Sequence, residues 1–550
     1  MDYSQFQHPQ RYVGNEWNAI RKSHTGKIPI CIGYPHLYEI GMSNVGLRII
    51  YGMLNQYRDI VCERVFLPGH DYAHYLKTQR KKLCSLETKL PLDQFQVIGL
   101  NLNSELNYPN VLELLSLGNI PLFSRERKDI IVTGGGIANP EPLAGFIDVF
   151  FMGEFEAGAE DFLRTLRASP RKQDRLRALA ELPGFYIPQH YSSVFTGTGY
   201  RTEKKYPFAR LPVGKRIVTD LNSSYYPRKW LVPHTSIVHD RAQIEISRGC
   251  PNHCTFCQAR TVYSPYRERS AEKVLSLLEE IYRHSGYENF SFLSLSASDH
   301  SSIEELIDRA HSFCRTRRIG LALPSLRIGD VIGRLYKKLS ALKKVSLTVA
   351  VEAASAQLRQ RMNKHIEIES LFEAVDALKS LKIRHVKAYF MLGIPGETDD
   401  DIRSIGRLIH ELKRRAGLQV NASVNIFIPK PFTGWEALPM PEERILQEKR
   451  EILFQSSRGK KTKLSVSPLK RSLREAILSR GDRTLDAVIH RVWRTGGIEG
   501  YPGGNAWDHW ESALREEKID THRILHRSLD AYPWSFLTPE APRNQDRCHE

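Results

Sequence analysis

The chain has 550 residues, 41% hydrophobic and 26% charged, with a net charge of +17. That is an ordinary globular composition with ample core, long enough for about three or four domains. No run approaches about eighteen consecutive apolar residues, so nothing is expected to span a membrane. Met1-Asp2-Tyr3-Ser4-Gln5 lacks the basic and apolar parts of a signal peptide. Eight cysteines read as reduced thiols rather than a disulfide framework, which places the chain in the cytoplasm.

In chain order, residues 1–187 read as an α/β domain. Apolar runs at Ile28–Gly33, Val61–Leu67, Val97–Leu102, Ile130–Thr133 and Val149–Met152 alternate with helical patterns such as Ser43–Asn55. Buried runs joined by amphipathic helices predict a doubly wound parallel sheet, whose ligands sit beyond the strand C-termini. A connector of mixed turn and basic composition follows over 188–238. Residues 239–440 repeat the strand–helix pair six times, with strands at Gln243–Ser247, Phe290–Leu295, Leu321–Leu323, Val345–Val351, His385–Met391 and Gln419–Ile428. That count suits a partial (β/α)6 barrel with its site at the strand C-terminal face. Residues 441–550 read as mainly helical, with the residues after Pro542 disordered. The charge excess raises RNA as a partner. Its densest stretch runs from Arg458 to Arg474 and holds Lys460, Lys461, Lys463, Lys470 and Arg471 with no acid. It reads as a flexible basic connector rather than a phosphate-binding surface.

Cys250, Cys254 and Cys257 are spaced C-x3-C-x2-C where the first barrel strand runs into a loop begun by Gly249. A compact loop with that spacing aims three thiolates at three corners of a 4Fe–4S cube and leaves one iron for a non-protein ligand. Zinc would ask for a fourth Cys or His in a closed tetrahedron, and His253 lies in the same loop. Spacing and context favour the cluster. Ser296, Ser298 and Asp299 follow the second strand and offer hydrogen bonds and a carboxylate, or an N-cap for the next helix. Glu352 is an isolated carboxylate at a strand end among apolar residues, and such a group needs a partner.

The cysteine triad, with Phe256 before the third cysteine, resembles the signature of the radical S-adenosylmethionine (SAM) superfamily. Gly393-Ile394-Pro395-Gly396-Glu397-Thr398 resembles that superfamily's G-x-P-G-E-T turn. The resemblance implies an enzyme in which SAM binds the open iron through its amine and carboxylate. An electron from a donor such as flavodoxin or ferredoxin then releases a 5′-deoxyadenosyl radical. Ser296, Ser298 and Asp299 would take the place of the segment that grips the SAM amine. Glu352 would meet the ribose, and Gly393, Pro395 and Gly396 would lie beside adenine.

The first domain resembles the cobalamin-binding-like domain that precedes many radical SAM barrels, on Gly134-Gly135-Gly136, Asn139-Pro140-Glu141-Pro142 and Gly153-Glu154-Phe155-Glu156. The D-x-H-x-x-G motif of that family is absent, and His36 falls outside the pattern. A bound cobalamin and a domain that binds nothing therefore stand side by side. If cobalamin binds, methyl transfer to carbon is the expected outcome. Cys31, Cys62 and Cys84 raise the alternative of a methylthiotransferase-like RNA-modifying enzyme with a second cluster. A non-catalytic iron–sulfur RNA-associated protein is the alternative outside enzymes.

Overall fold

The computed structural model describes residues 2–323, 327, 347–380, 385–416, 419–458 and 462–539. Lys460, Lys461 and the tail after Pro542, expected to be disordered, lie outside the described residues.

In the first domain, β1 (Ile28–Tyr34), β2 (Ile60–Phe66), β3 (Val97–Asn101), β4 (Ile131–Gly135) and β5 (Val149–Phe151) form a parallel sheet in the order β2-β1-β3-β4-β5. The short β6 (Phe185–Tyr186) adds to β5 antiparallel. The strands are near-continuous apolar runs because both faces are covered. Cys31, Ile98 and Val132 enter the core on one face, and Ile30, Val97 and Ile131 enter the core on the other. The order reverses between β1 and β3, the point at which open α/β sheets bind ligands beyond their strand ends. There α1 (Val45–Leu54) begins, capped by Asn44 Oδ1, which accepts from the Leu47 N–H at 2.8 Å.

Residues 188–238 are built into the protein. Tyr191–Phe195 and Tyr200–Lys204 form an antiparallel hairpin, Val213–Gly214 pairs in parallel with Leu537–Thr538, and Trp230 is fully buried. Beyond them, β7 (Ala242–Glu245), β8 (Asn289–Leu293) and β9 (Gly320–Ala322) form one parallel sheet. A second parallel sheet holds β10 (Leu347–Glu352), β11 (His385–Leu392), β12 (Gln419–Ile426) and β13 (Thr462–Val466) in sequence order. Helices alternate with the strands, among them α2 (Ala271–Ser285), α3 (Ile303–Thr316), α4 (Ile368–Ser380), α5 (Asp399–Ala416) and α6 (Glu443–Ser456). This is the α/β repeat expected from the sequence, lengthened by one strand.

That seventh strand corrects the reading of Arg458–Arg474 as a flexible connector. Thr462–Val466 joins the sheet edge and Leu469–Arg480 is a helix, α7. Lys470 pairs with Glu443 and Arg474 with Glu499. The strand signal was present, since Leu464 and Val466 alternate with Lys463 and Ser465 at a period of two, but the charge density masked it. Among the described residues no helix is long and apolar enough to cross a membrane.

Candidate cluster and cofactor site

Past the end of β7, Ser247–Arg248 pairs antiparallel with Arg267–Glu268. The chain between them is therefore a closed excursion that carries all three cysteines. Gly249 opens it at φ +85°, where a Cβ would lie 2.7 Å from the Pro265 carbonyl oxygen. Only glycine fits both that conformation and that contact. Cys250, Cys254 and Cys257 are free and half-buried. The Cys257 N–H donates to the Cys254 carbonyl at 3.3 Å, and Asn252 Nδ2 donates to Cys250 Sγ at 3.4 Å. Burial pushes the Cys254 thiol up and the Lys364 ammonium pulls it down, while Cys257, Cys250 and Glu352 push it further up. These five groups thus share one field. His253 Nδ1 is taken by Arg260. Among the described residues no three Cys, His, Asp or Glu side chains converge on a single ion. Three cysteines on one closed loop are the ligand type that an iron–sulfur cluster takes.

Glu352 ends β10 at φ +67°, next to a register shift between Ala350 and Glu352. A non-glycine residue held there costs roughly 1–2 kcal/mol. Burial pushes its carboxyl above the ordinary range, Lys364 opposes the shift, and no hydrogen bond offsets it. Backbone strain and a carboxylate without a hydrogen-bond partner among the described residues thus fall on one residue, a combination found where strain is kept at functional sites. Ala353, Met362 and Ile394 pack into one small apolar cluster against Phe256 and Met391. The end of β10, the turn after β11 and the cysteine loop therefore meet.

In that turn Gly393 and Gly396 have φ +81° and +75°. A Cβ on Gly396 would lie 2.1 Å from the Arg361 guanidinium, so this glycine makes room for a protein side chain. Glu397 accepts from the Gly393 N–H at 2.9 Å and pairs with Lys449. Thr398 and Asp401 form a reciprocal capping box at the start of α5. The loop after the short helix Ala356–Arg361 covers the cysteines. Thr255 N–H donates to the Met362 carbonyl at 3.0 Å, and Asn363 Nδ2 donates to that of His253 at 2.8 Å. Lys364 belongs to this loop, and sequence reasoning missed it because nothing in the run Arg361–His365 distinguishes a ligand from a surface lysine.

The segment after β8 also reaches the cysteine loop, with its hydrogen bonds directed to protein. Asp299 Oδ2 accepts from Asn252 Nδ2 at 2.9 Å and from Ser296 Oγ at 2.6 Å, and Asp299 Oδ1 pairs with Arg327. Ser298 is fully buried and its hydroxyl accepts from the Arg327 N–H.

A cavity of about 500 Å³ runs from the β1/β3 switch point to the cysteine loop. Asn44, Asn101 and Gly134 line it from the first domain, and Ser247, Arg248 and Leu295 line it from the barrel. His36 does not line it; its Nδ1 accepts from the Leu37 N–H and its ring lies against Gly500. Cys31 and Cys62 are fully buried in the cores on opposite faces of the sheet, so they assemble no second site. Between cavity and cysteines lies a lattice of charge. Arg248 pairs with Glu245, Glu154 and Glu156 at 3.0–3.1 Å, and Arg267 pairs with Glu154 at 2.7 Å. Arg248 before the cysteines and Arg267 after them thus serve as ion-pair partners of the first domain.

With this geometry in place, the comparisons with known proteins agree on a class. Residues 244–409 match the model of the Radical SAM superfamily, and residues 46–188 match that of Radical SAM proteins, N-terminal. The chain belongs to the radical SAM superfamily and is an enzyme of that class. It is 27% identical to the uncharacterized protein MJ0966 of Methanocaldococcus jannaschii, over 84% of this chain and 90% of that protein. It is 25% identical to the hopanoid C-3 methylase of Methylococcus capsulatus, over 69% of this chain and 67% of that one. Among solved structures, the radical SAM methyltransferase TsrM from Kitasatospora setae, with cobalamin and a 4Fe–4S cluster bound, covers 90% of this chain and 99% of its own at 13% identity, with a TM-score of 0.48.

Proposed function

We propose that this enzyme carries a 4Fe–4S cluster on Cys250, Cys254 and Cys257, binds SAM beside it, and transfers a methyl group with cobalamin seated between its two halves. The observation that carries the finer reading is the cavity of about 500 Å³ that joins the sheet's switch point to the cysteine loop. A hopanoid C-3 methylase among the relatives supports it. When bound, the cluster supplies the electron that cleaves SAM to the 5′-deoxyadenosyl radical, and the corrin supplies a methyl carrier.

The chain's own residues bind, orient and exclude water. Glu352, with no hydrogen bond in the protein, accepts from the ribose hydroxyls. Lys364, the cation that faces Glu352 and Cys254, meets the SAM carboxylate. Asp299 holds the cysteine loop through Asn252, and Ser296 holds Asp299, so the pair sets the amine end of the site. Gly393, Pro395 and Gly396 shape the wall beside adenine, with Ile394 buried beneath. His36 would take no part in holding a corrin there, because its Nδ1 accepts from the Leu37 N–H and its ring lies against Gly500, away from the cavity wall. A reduced flavodoxin or ferredoxin supplies the electron.

Anaerobic purification after cluster reconstitution, with mass spectrometry for bound corrin and 5′-deoxyadenosine, tests both layers. Cys254→Ala is expected to abolish the cluster's visible absorbance and 5′-deoxyadenosine formation together. Retention of both in that variant sinks the cluster assignment. A corrin-free wild type that turns over its acceptor removes the methyl-transfer reading and leaves the radical chemistry. The methylthiotransferase-like alternative lacks a second cluster site, given the opposed burial of Cys31 and Cys62. The RNA-associated alternative is weakened where Lys470 and Arg474 pair with Glu443 and Glu499.

A further inference from the structure

Two residues before the first cluster cysteine, Arg248 is buried and held by three carboxylates. Glu245 comes from β7 of the same half and binds it through two hydrogen bonds, each 3.0 Å. Glu154 and Glu156 come from the first domain, in the segment after β5. Arg267 closes the set on Glu154, and Arg269 lies 3.4 Å from Glu245. Three arginines thus face three glutamates, and the group is electrically neutral. Glu154, Glu156, Glu245 and Arg248 are also part of the cavity wall.

The energetics of such a group are lopsided. Removing one member leaves a buried charge uncompensated, at a cost of several kcal/mol. Coulomb interactions there decay slowly because little water screens them. Whatever moves Glu154 or Glu156 therefore moves Arg248, and with it Gly249 and Cys250.

We propose that Arg248 is a positioning residue through which the first domain sets the reduction potential of the cluster. Glu154 and Glu156 fix its guanidinium and, with Glu245, keep the group neutral, so that any loss of that balance changes how readily the cluster accepts an electron. The proposal rests on the cluster reading and adds a role for residues that neither bind iron nor touch SAM.

The test is an EPR-monitored redox titration of the reconstituted enzyme, with iron and sulfide content measured on every sample. Glu156→Gln and Glu154→Gln unmask positive charge and are expected to raise the potential. Arg248→Gln unmasks negative charge and is expected to lower it. The double variant Glu154→Gln/Arg248→Gln restores neutrality and is expected to return towards the wild-type potential. A purely structural role predicts lower cluster content at an unchanged potential, or shifts of one sign in every variant; either result overturns the proposal. Should Arg248→Gln fail to fold, Glu156→Gln decides alone, since Glu156 is the most exposed of the three carboxylates bound to Arg248. A wild type that takes up no cluster refutes the earlier reading instead, so the two failures are distinct.

Discussion

Two carboxylates, one buried in the first domain and one half-buried at the end of β10, behave in opposite ways. In the first domain Glu16 lies against Arg64 at 2.8 Å, and Arg64 reaches on to Glu87 at 2.6 Å, with all three side chains essentially out of water. Tyr38 donates a further hydrogen bond to Glu16 at 2.9 Å. At the end of β10 the Glu352 carboxylate has no hydrogen-bond partner among the described residues, faces only the Lys364 ammonium, and sits on a backbone at φ +67°. The first carboxylate is compensated by its own domain, and the second is left with one opposing cation.

The comparison breaks most visibly under removal of charge. Glu16→Gln leaves Arg64 paired with Glu87 alone and weakens the charged hydrogen bonds that Glu16 accepts from Arg64 and Tyr38, and denaturant unfolding should show a loss of about 2 kcal/mol. Glu352→Gln removes an uncompensated charge, so the apo protein should keep its stability or gain slightly. Its SAM affinity should fall about tenfold, roughly 1.4 kcal/mol by equilibrium dialysis of the cluster-loaded protein. Equal destabilisation by the two substitutions would erase the contrast.

Acidity sharpens it. Burial pushes the Glu16 carboxyl up, but Arg64 prevails and holds it down to about 2. A lowered carboxyl stabilises the fold above its unfolded value near 4.5 and loses that contribution as pH falls towards 2. Glu352 is shifted the other way by burial. Its contribution is present at acid pH and is lost as pH rises through its folded value. Thermal melts across acid pH should therefore show a loss that Glu16→Gln reduces, and a shallower trend of opposite sign that Glu352→Gln removes. The smallest effect is local: Thr398→Ala deletes half of a capping box and should cost about 1 kcal/mol, with cluster content unchanged.

Much of this site was legible from residue type and order. The cysteine spacing identifies a cluster loop because three thiolates close together have few other uses, and Glu352 was conspicuous as a lone acid at an apolar strand end. The parallel sheet of the first domain follows from its apolar runs, whereas its strand order does not. Lys364 was not legible, since its partner across the site comes from a different strand. Nor was the Arg248 lattice, because its ion pairs span more than ninety residues of sequence, and only the meeting of two domains makes them neighbours. Ser298 illustrates the reverse error. Its chemistry suited a ligand, but its hydroxyl is sealed inside against Arg327.

The strand Thr462–Val466 lies at the outer edge of its sheet. An unpaired edge is a template on which another extended chain can add, in the folded state or during synthesis. Lys460, Lys461 and Lys463 cluster at its start in sequence, and Lys463 is exposed. Like charge on such an edge opposes its pairing with a second copy. Lys463 thus stands where self-association would begin, and replacing it should show first in the yield of soluble protein rather than in its chemistry.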